Sequence, residues 1–82
     1  MTTRALGGIL NNMYNKPEAN KVTMIFLFGI KYAKEIKAAA RNSSMNSVVK
    51  EIVAHSNVPS SYSTEIKKAV ILADYVDIKT SI

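Results

Sequence analysis

One stretch constrains the fold of this chain most: between residues 22 and 41, apolar side chains recur at the three- and four-residue spacing of an amphipathic helix. This spacing predicts one long or gently kinked helix, with Gly29 as the place for a kink. Because 82 residues suffice for one compact domain only, other segments or a second subunit must cover its apolar face. That face carries Val22, Ile25, Phe26, Ile30, Ala33, Ile36 and Ala40.

The first half of this helix is apolar nearly all round, since Met24, Leu27 and Phe28 point away from the main apolar face. A surface of this kind has to be covered by another helix or by a second subunit. We therefore expect these three side chains to form a dimer or partner interface, either in a homodimer or with another protein.

The remaining segments also have helical patterns. Apolar residues at positions 6–14 predict a first helix, with Thr2 or Thr3 as its N-cap. The Asn-Lys-Pro-Glu sequence at 15–18 has the form of a capping box and predicts that the second helix starts there. We expect a third helix over about residues 48–55 and a fourth from Ser60, capped by its own hydroxyl. Residues 76–82 are expected to be an extended tail, with a strand at 76–79.

The fold class predicted is therefore all-α, a compact four-helix domain over residues 1–82. The chain has no cysteine, so it has neither disulfides nor a thiolate zinc site, and the cytoplasm is the expected location. The longest apolar run, residues 22–30, is far shorter than the roughly 18 residues of a membrane span. Nothing at the N-terminus has the pattern of a signal peptide, so we expect no membrane association and no secretion.

The segment at residues 50–69 has the layout of a helix-turn-helix, in which a short helix, a tight turn and a longer helix follow one another. Asn57 stands where the turn needs a residue that tolerates a positive φ. Val58 is expected to fill the gap between the helices, with Ile52 and Ile66 facing each other across it. Pro59 prevents the first helix from continuing.

If this motif binds double-stranded DNA, its second helix enters the major groove and its outward residues meet the base edges. Helical spacing selects Ser61, Thr64, Lys67 and Lys68 as base-contacting residues. Phosphates are expected at Ser60 and along a basic stripe on the long helix, formed by Lys31, Lys34, Lys37 and Arg41. The net charge of +5 favours such a polyanionic partner, and the whole surplus lies in residues 1–45.

Each of these features also has an ordinary structural interpretation. Turns between amphipathic helices are common in proteins that never touch nucleic acid, and a basic helix face is more often simply solvated. His55 is expected to interact with a helix C-terminus. The chain has one histidine, no paired carboxylates and no glycine-rich phosphate loop, so we expect neither an enzyme nor a bound metal or cofactor.

Residues 21–36, 49–53, 58–69 and 72–76 together resemble a family of small helix-turn-helix-like domains found in bacteria and mobile elements. The Phe-Gly-Ile-Lys-Tyr-Ala stretch at 28–33 and the Ser-Tyr-x-Thr-Glu-Ile stretch at 61–66 are its most specific parts. The resemblance covers about residues 10–79 and implies DNA binding by analogy of fold. The chain departs from the pattern at Asn57 and Ala69, where glycine is usual, and in a longer stretch at residues 38–46.

Two hypotheses follow. The first is a DNA-binding protein, a small transcriptional regulator that acts as a homodimer, as repressors of phages and plasmids do. The second is an interaction module, such as a phage- or plasmid-borne inhibitor, that binds a host protein through the same helices. The second hypothesis is supported by the nearly neutral C-terminal half and by the apolar surface on nearly all sides of the helix around Met24, Leu27 and Phe28.

Overall fold

The computed structural model describes residues 1–76, and these form five α-helices and one short 3-10 helix. In chain order, the α-helices are α1 (Thr3–Tyr14), α2 (Lys21–Lys31), α3 (Ala33–Ala39), α4 (Met45–Ser56) and α5 (Ser63–Leu72), and the 3-10 helix Ser60–Tyr62 lies directly before α5. The expectation of an all-helical protein is confirmed, whereas the expected count of four helices was wrong. Within the described range there is no strand; of the expected strand at 76–79, only Val76 is described, and it has no regular structure.

Three helices have an N-cap residue whose side chain accepts a hydrogen bond from a backbone N–H group of the first turn. Thr2 caps α1 by accepting from the N–H of Ala5 at 3.0 Å, which confirms one of the two expected caps. Ser44 caps α4 by accepting from the N–H of Ser47, also at 3.0 Å. Asn20 caps α2 in the same way.

The expected capping box at residues 15–18 was wrong, because α2 begins later, at Lys21. Glu18 has a φ of 64°, in the left-handed region, so it cannot belong to the first turn of a right-handed helix. The Asn20 side chain accepts from the N–H of Thr23 at 2.9 Å instead. Residues 15–20 are therefore a turn between α1 and α2.

The expected single helix over residues 22–41 is broken at Tyr32, and Gly29 is not the break point. Tyr32 has φ −106° and ψ 20°, while its ring packs against that of Phe28 with 5.6 Å between the centroids. Ala33 and Ile36 of α3 belong to the same core as Phe28 of α2. Gly29 stays helical and buried because α5 lies directly against it.

The expected hydroxyl cap at Ser60 was also wrong. Pro59, with φ −53° and ψ 135°, leads into the 3-10 helix, in which the N–H of Tyr62 donates to the Pro59 carbonyl at 3.1 Å. Neither this helix nor α5 has a side-chain cap. The second helix of the predicted motif thus starts as a tight turn and becomes α-helical at Ser63.

The helices pack in two main pairs, α1 on α4 and α2 on α5. Near the start of α1, the Thr3 hydroxyl donates to Glu51 at 3.1 Å; farther along, the Asn11 amide donates to the Ser56 carbonyl at 2.7 Å. The two helices therefore run side by side in the same direction. In this way α1 and α2 each support one helix of the predicted helix-turn-helix.

One hydrophobic core joins all five α-helices. Phe28 is fully buried within it, so the expectation that Phe28 lies on a dimer or partner interface was wrong. The core that the five α-helices share covers Phe28 within a single chain. Met24 and Leu27 remain half-buried. None of the described helices is long and apolar enough to cross a bilayer.

Candidate nucleic-acid interface

The turn between α4 and α5 has the geometry predicted from its residues. Asn57 has φ 62° and ψ 14°, the left-handed conformation that favours glycine and tolerates asparagine. Val58 is only 5% exposed and belongs to the core, together with the fully buried Ile52 of α4 and Ile66 of α5. A buried apolar residue directly after the turn therefore holds the two helices together.

Ser56 is a key residue of this turn that sequence reasoning did not identify. Among residues 1–76, it is the only polar residue that is buried. Its hydroxyl donates to the Val53 carbonyl at 2.7 Å and accepts from the N–H of Val58 at 3.0 Å. Its carbonyl accepts from Asn11 of α1. A serine directly before a left-handed asparagine is the available signal, since hydroxyls often satisfy backbone groups at helix ends.

The backbone conformation of Asn57 leads to a prediction. Asn57→Ala is expected to lower the free energy of unfolding by about 1 kcal/mol, because a Cβ without a compensating polar group is strained at positive φ. Asn57→Gly is expected to leave stability unchanged or raise it by a few tenths of a kcal/mol. Urea denaturation followed by circular dichroism measures both variants. Equal stabilities for the two variants would contradict a left-handed Asn57.

The predicted base-contacting residues divide into two groups. Ser61 of the 3-10 helix and Thr64 and Lys68 of α5 are all exposed. Lys67 is half-buried, and its ammonium donates to the Asn46 side chain near the start of α4. The outward face at the beginning of the second helix thus presents two hydroxyls and one ammonium, while Lys67 lies at the contact between α4 and α5.

The predicted phosphate-contacting residues are all exposed, but the break at Tyr32 distributes them over two helices. Lys31 ends α2, Lys34 and Lys37 belong to α3, and Arg41 follows α3. Lys37 forms an ion pair with Asp74 at 3.2 Å, which joins α3 to the turn after α5. Ser60 is also exposed, at the start of the 3-10 helix.

A cluster of two tyrosines and a lysine connects the end of α1 to the start of the second motif helix. The rings of Tyr14 and Tyr62 meet edge to face, with 5.7 Å between their centroids. The Lys21 ammonium lies 4.4 Å from the centre of the Tyr14 ring and donates to the Tyr14 carbonyl at 3.0 Å. The side-chain hydrogen bond with Tyr14 raises the pKa of Tyr62, and the nearby Tyr14 and Glu65 add to this shift. The cluster anchors the first turn of the motif's second helix.

The far end of α5 has an apolar surface that the sequence analysis did not single out. Ile71 is 64% exposed and Tyr75 is 80% exposed, and Leu72 and Val76 are exposed beside them. Ile71 and Leu72 end α5, and Tyr75 and Val76 follow it after a turn, so the signal in the sequence is two apolar pairs close together around the end of the helix. The described residues contain no group of three or more histidine, cysteine or acidic side chains arranged to hold a metal ion.

A comparison with known protein families also identifies a helix-turn-helix-like domain in this chain. Residues 2–79 match a family described as an HTH-like domain, and this match confirms the resemblance seen in the sequence. No curated protein and no solved structure matches the chain. Helix-turn-helix domains in general bind DNA, so the match points to DNA binding as the general function. The match extends over nearly all of the 82 residues, so the chain belongs to the HTH-like domain family.

Proposed function

We propose that this protein is a small transcriptional regulator that reads the DNA major groove with the helix beginning at Ser60. The observation that carries the proposal is the exposed polar face formed by Ser61, Thr64 and Lys68, directly after a turn fixed by buried Ser56 and Val58. A rigid turn holds the first residues of a reading helix at a constant angle, which sequence recognition requires.

The proposed roles follow from the chemistry of each side chain. The Ser61 and Thr64 hydroxyls donate to or accept from base edges, and the Lys68 ammonium donates to guanine acceptors. Lys67 supports the reading helix through Asn46 and reaches a base only by leaving that contact. Lys31, Lys34, Lys37, Arg41 and Ser60 contact phosphates and position the protein without reading sequence.

Titration against duplex DNA tests the proposal. Fluorescence anisotropy with a random-sequence duplex at two salt concentrations should show binding that weakens steeply with salt, because every neutralised phosphate adds about −0.9 to the slope of log K against log salt. Reversing Lys34 and Arg41 to glutamate is expected to remove about two units of this slope. A salt-independent affinity would refute a DNA partner.

The matched control for this charge reversal is Arg4→Glu. Arg4 is an exposed basic residue near the start of α1 and belongs to neither group of proposed contacts. Reversal of this single charge should change the affinity less than reversal of Lys34 alone. Equal losses for Arg4→Glu and Lys34→Glu would show that net charge, and not the proposed face, attracts DNA. The Lys37 position is avoided because its reversal would also remove the ion pair with Asp74.

The exposed apolar end of α5 favours a second candidate, an interaction module that binds a host protein. Ile71 is 64% exposed and Tyr75 is 80% exposed, so both side chains are accessible to a protein partner. For such a module, Ile71→Ser and Tyr75→Ser would abolish partner binding, whereas reversal of Lys34 and Arg41 would leave it intact. The homodimer and the origin in a mobile element stay predictions.

A further inference from the structure

Lys21 begins α2 and belongs to neither group of proposed DNA contacts. Its side chain is exposed, yet two contacts with Tyr14 hold its ammonium in place. The ammonium donates to the Tyr14 carbonyl at 3.0 Å and lies 4.4 Å from the centre of the Tyr14 ring. An exposed lysine normally samples many rotamers, and the loss of this freedom opposes the binding of a ligand. Lys21 is already ordered, so less freedom is lost when its ammonium contacts an anion.

The ring that holds Lys21 also contacts the reading helix, which begins at Ser60. Tyr14 and Tyr62 pack edge to face, with 5.7 Å between the ring centroids. Tyr62 directly follows Ser60 and Ser61, the proposed phosphate and base contacts at the start of this helix. The end of α1, the start of α2 and the first turn of the reading helix therefore meet at Tyr14. The Lys21 ammonium is held beside this first turn.

The charges around Tyr62 show that the ammonium acts on this turn. A hydrogen bond with Tyr14 raises the pKa of Tyr62, and the Glu65 carboxylate adds to the rise. The Lys21 ammonium acts in the opposite direction and favours the ionised hydroxyl. Two charges of opposite sign, those of Glu65 and Lys21, therefore act on the start of the reading helix. Because a carboxylate there repels DNA, a fixed ammonium nearby offsets part of that repulsion.

We propose that Lys21 contacts a backbone phosphate of duplex DNA beside the reading helix, and that Tyr14 positions its ammonium for this contact. The inference rests on the proposed function and adds a residue to it. A lysine ammonium has three N–H donors, so the bond to the Tyr14 carbonyl does not exhaust them. Hydrogen bonds from an ammonium to a phosphate are charge-assisted and strong. Phosphate contacts fix the register of a protein on the duplex, so this contact sets how Ser61 and Thr64 meet the base edges.

Lys21→Met tests this contact in the full chain, by fluorescence anisotropy with two duplexes of unrelated sequence. The affinity is expected to fall about two- to fivefold for both duplexes, because a phosphate contact does not read sequence. The slope of log K against log salt should become shallower by about 0.9. A loss confined to one duplex, or no loss, would overturn the proposal. If the unaltered chain binds neither duplex, the proposed function fails as well, so the two failures are distinguishable.

Arg4→Met is the matched control, because Arg4 is also an exposed basic residue. This variant removes one positive charge roughly 15 Å from Tyr14 along the axis of α1. That distance exceeds the screening length of about 10 Å at 0.1 M salt, so Arg4→Met should change the affinity less than Lys21→Met does. Equal losses in the two variants would show that DNA responds to net charge only, and the contact would be wrong.

Tyr14 variants separate positioning from charge. Tyr14→Phe keeps the ring beside the Lys21 ammonium and should bind DNA as the unaltered chain does, whereas Tyr14→Leu removes the ring and should weaken binding. In a chain that already carries Lys21→Met, Tyr14→Leu should cause no further loss. An equal loss from Tyr14→Leu with and without Lys21→Met would refute the positioning role. Circular dichroism shows whether each variant is folded as the unaltered chain is.

Discussion

Replacement of Phe28 by alanine is expected to lower the free energy of unfolding by about 3–5 kcal/mol. Phe28 is fully buried in the core, and its ring packs against Tyr32 at the break between α2 and α3. Removal of the ring leaves a cavity that the surrounding helices fill only in part. For a domain of this size, the loss is a large fraction of the total stability. Urea denaturation monitored by circular dichroism gives the value.

The control for this prediction is the adjacent Leu27. Because Leu27 is half-buried, Leu27→Ala should cost clearly less than Phe28→Ala. If Phe28→Ala does not fold, Phe28→Leu keeps most of the side-chain volume and should still lose stability. A loss below about 1 kcal/mol in Phe28→Ala, together with a change of oligomeric state, would contradict burial of Phe28 in the core of one chain. Phe28 would then lie on the interface that was expected from the sequence.

Addition of one methyl group at Gly7 is expected to destabilise the protein, while the same change at Gly8 stabilises it. A Cβ on Gly7 would lie 2.5 Å from the His55 Cβ and 2.9 Å from the Ile52 carbonyl oxygen, whereas nothing lies within 4 Å of a Cβ on Gly8. Gly8→Ala should therefore gain about 0.5–1 kcal/mol from helix propensity. Gly7→Ala should lose about 1–3 kcal/mol, because α1 and α4 must move apart.

Thermal and urea denaturation of the two alanine variants measure this difference directly. The two glycines are neighbours on α1, so the comparison cancels the gain in helix propensity and isolates the contact with α4. The prediction fails if both variants gain stability by similar amounts. The analogous contact in the other helix pair joins Gly29 to Ala69, where an added Cβ would be 2.5 Å from the Ala69 Cβ.

This second contact allows a rescue experiment. Gly29→Ala alone should destabilise the protein, and Ala69→Gly in the same chain should restore part of the loss by making room for the new methyl group. The coupling energy is the change in the double variant minus the changes in the two single variants, so Ala69→Gly alone is measured as well. Independent effects at the two positions would contradict the close approach of α2 and α5.

Features that depend on nearby residues could be predicted from the sequence. The Thr2 cap and the left-handed Asn57 are both found where the sequence places them. Val58 is buried as expected. In each case the determining groups lie within a few residues along the chain, so local chemistry suffices.

Features that depend on packing were predicted less well. Residues 22–30 are helical as predicted, but periodicity could not show that the core of a single chain covers Phe28 or that the helix breaks at Tyr32. The candidate reading residues were predicted as one set, yet Lys67 is engaged by Asn46, 21 residues away. The proposed basic stripe was placed on one helix, and the break divides it between α2 and α3.

The sequence by itself determined the helical class of this protein, the turn of its helix-turn-helix and the polar outer face of the second motif helix, because helical periodicity and turn chemistry act over a few residues. The tertiary structure alone decided that Phe28 is buried in the core of a single chain and that Lys37 and Lys67 are engaged by other side chains. Those outcomes depend on partners far apart in the chain, such as Asn11 with Ser56 and Lys37 with Asp74. Pairings of this kind follow from how five short helices share one core, and no local pattern encodes them.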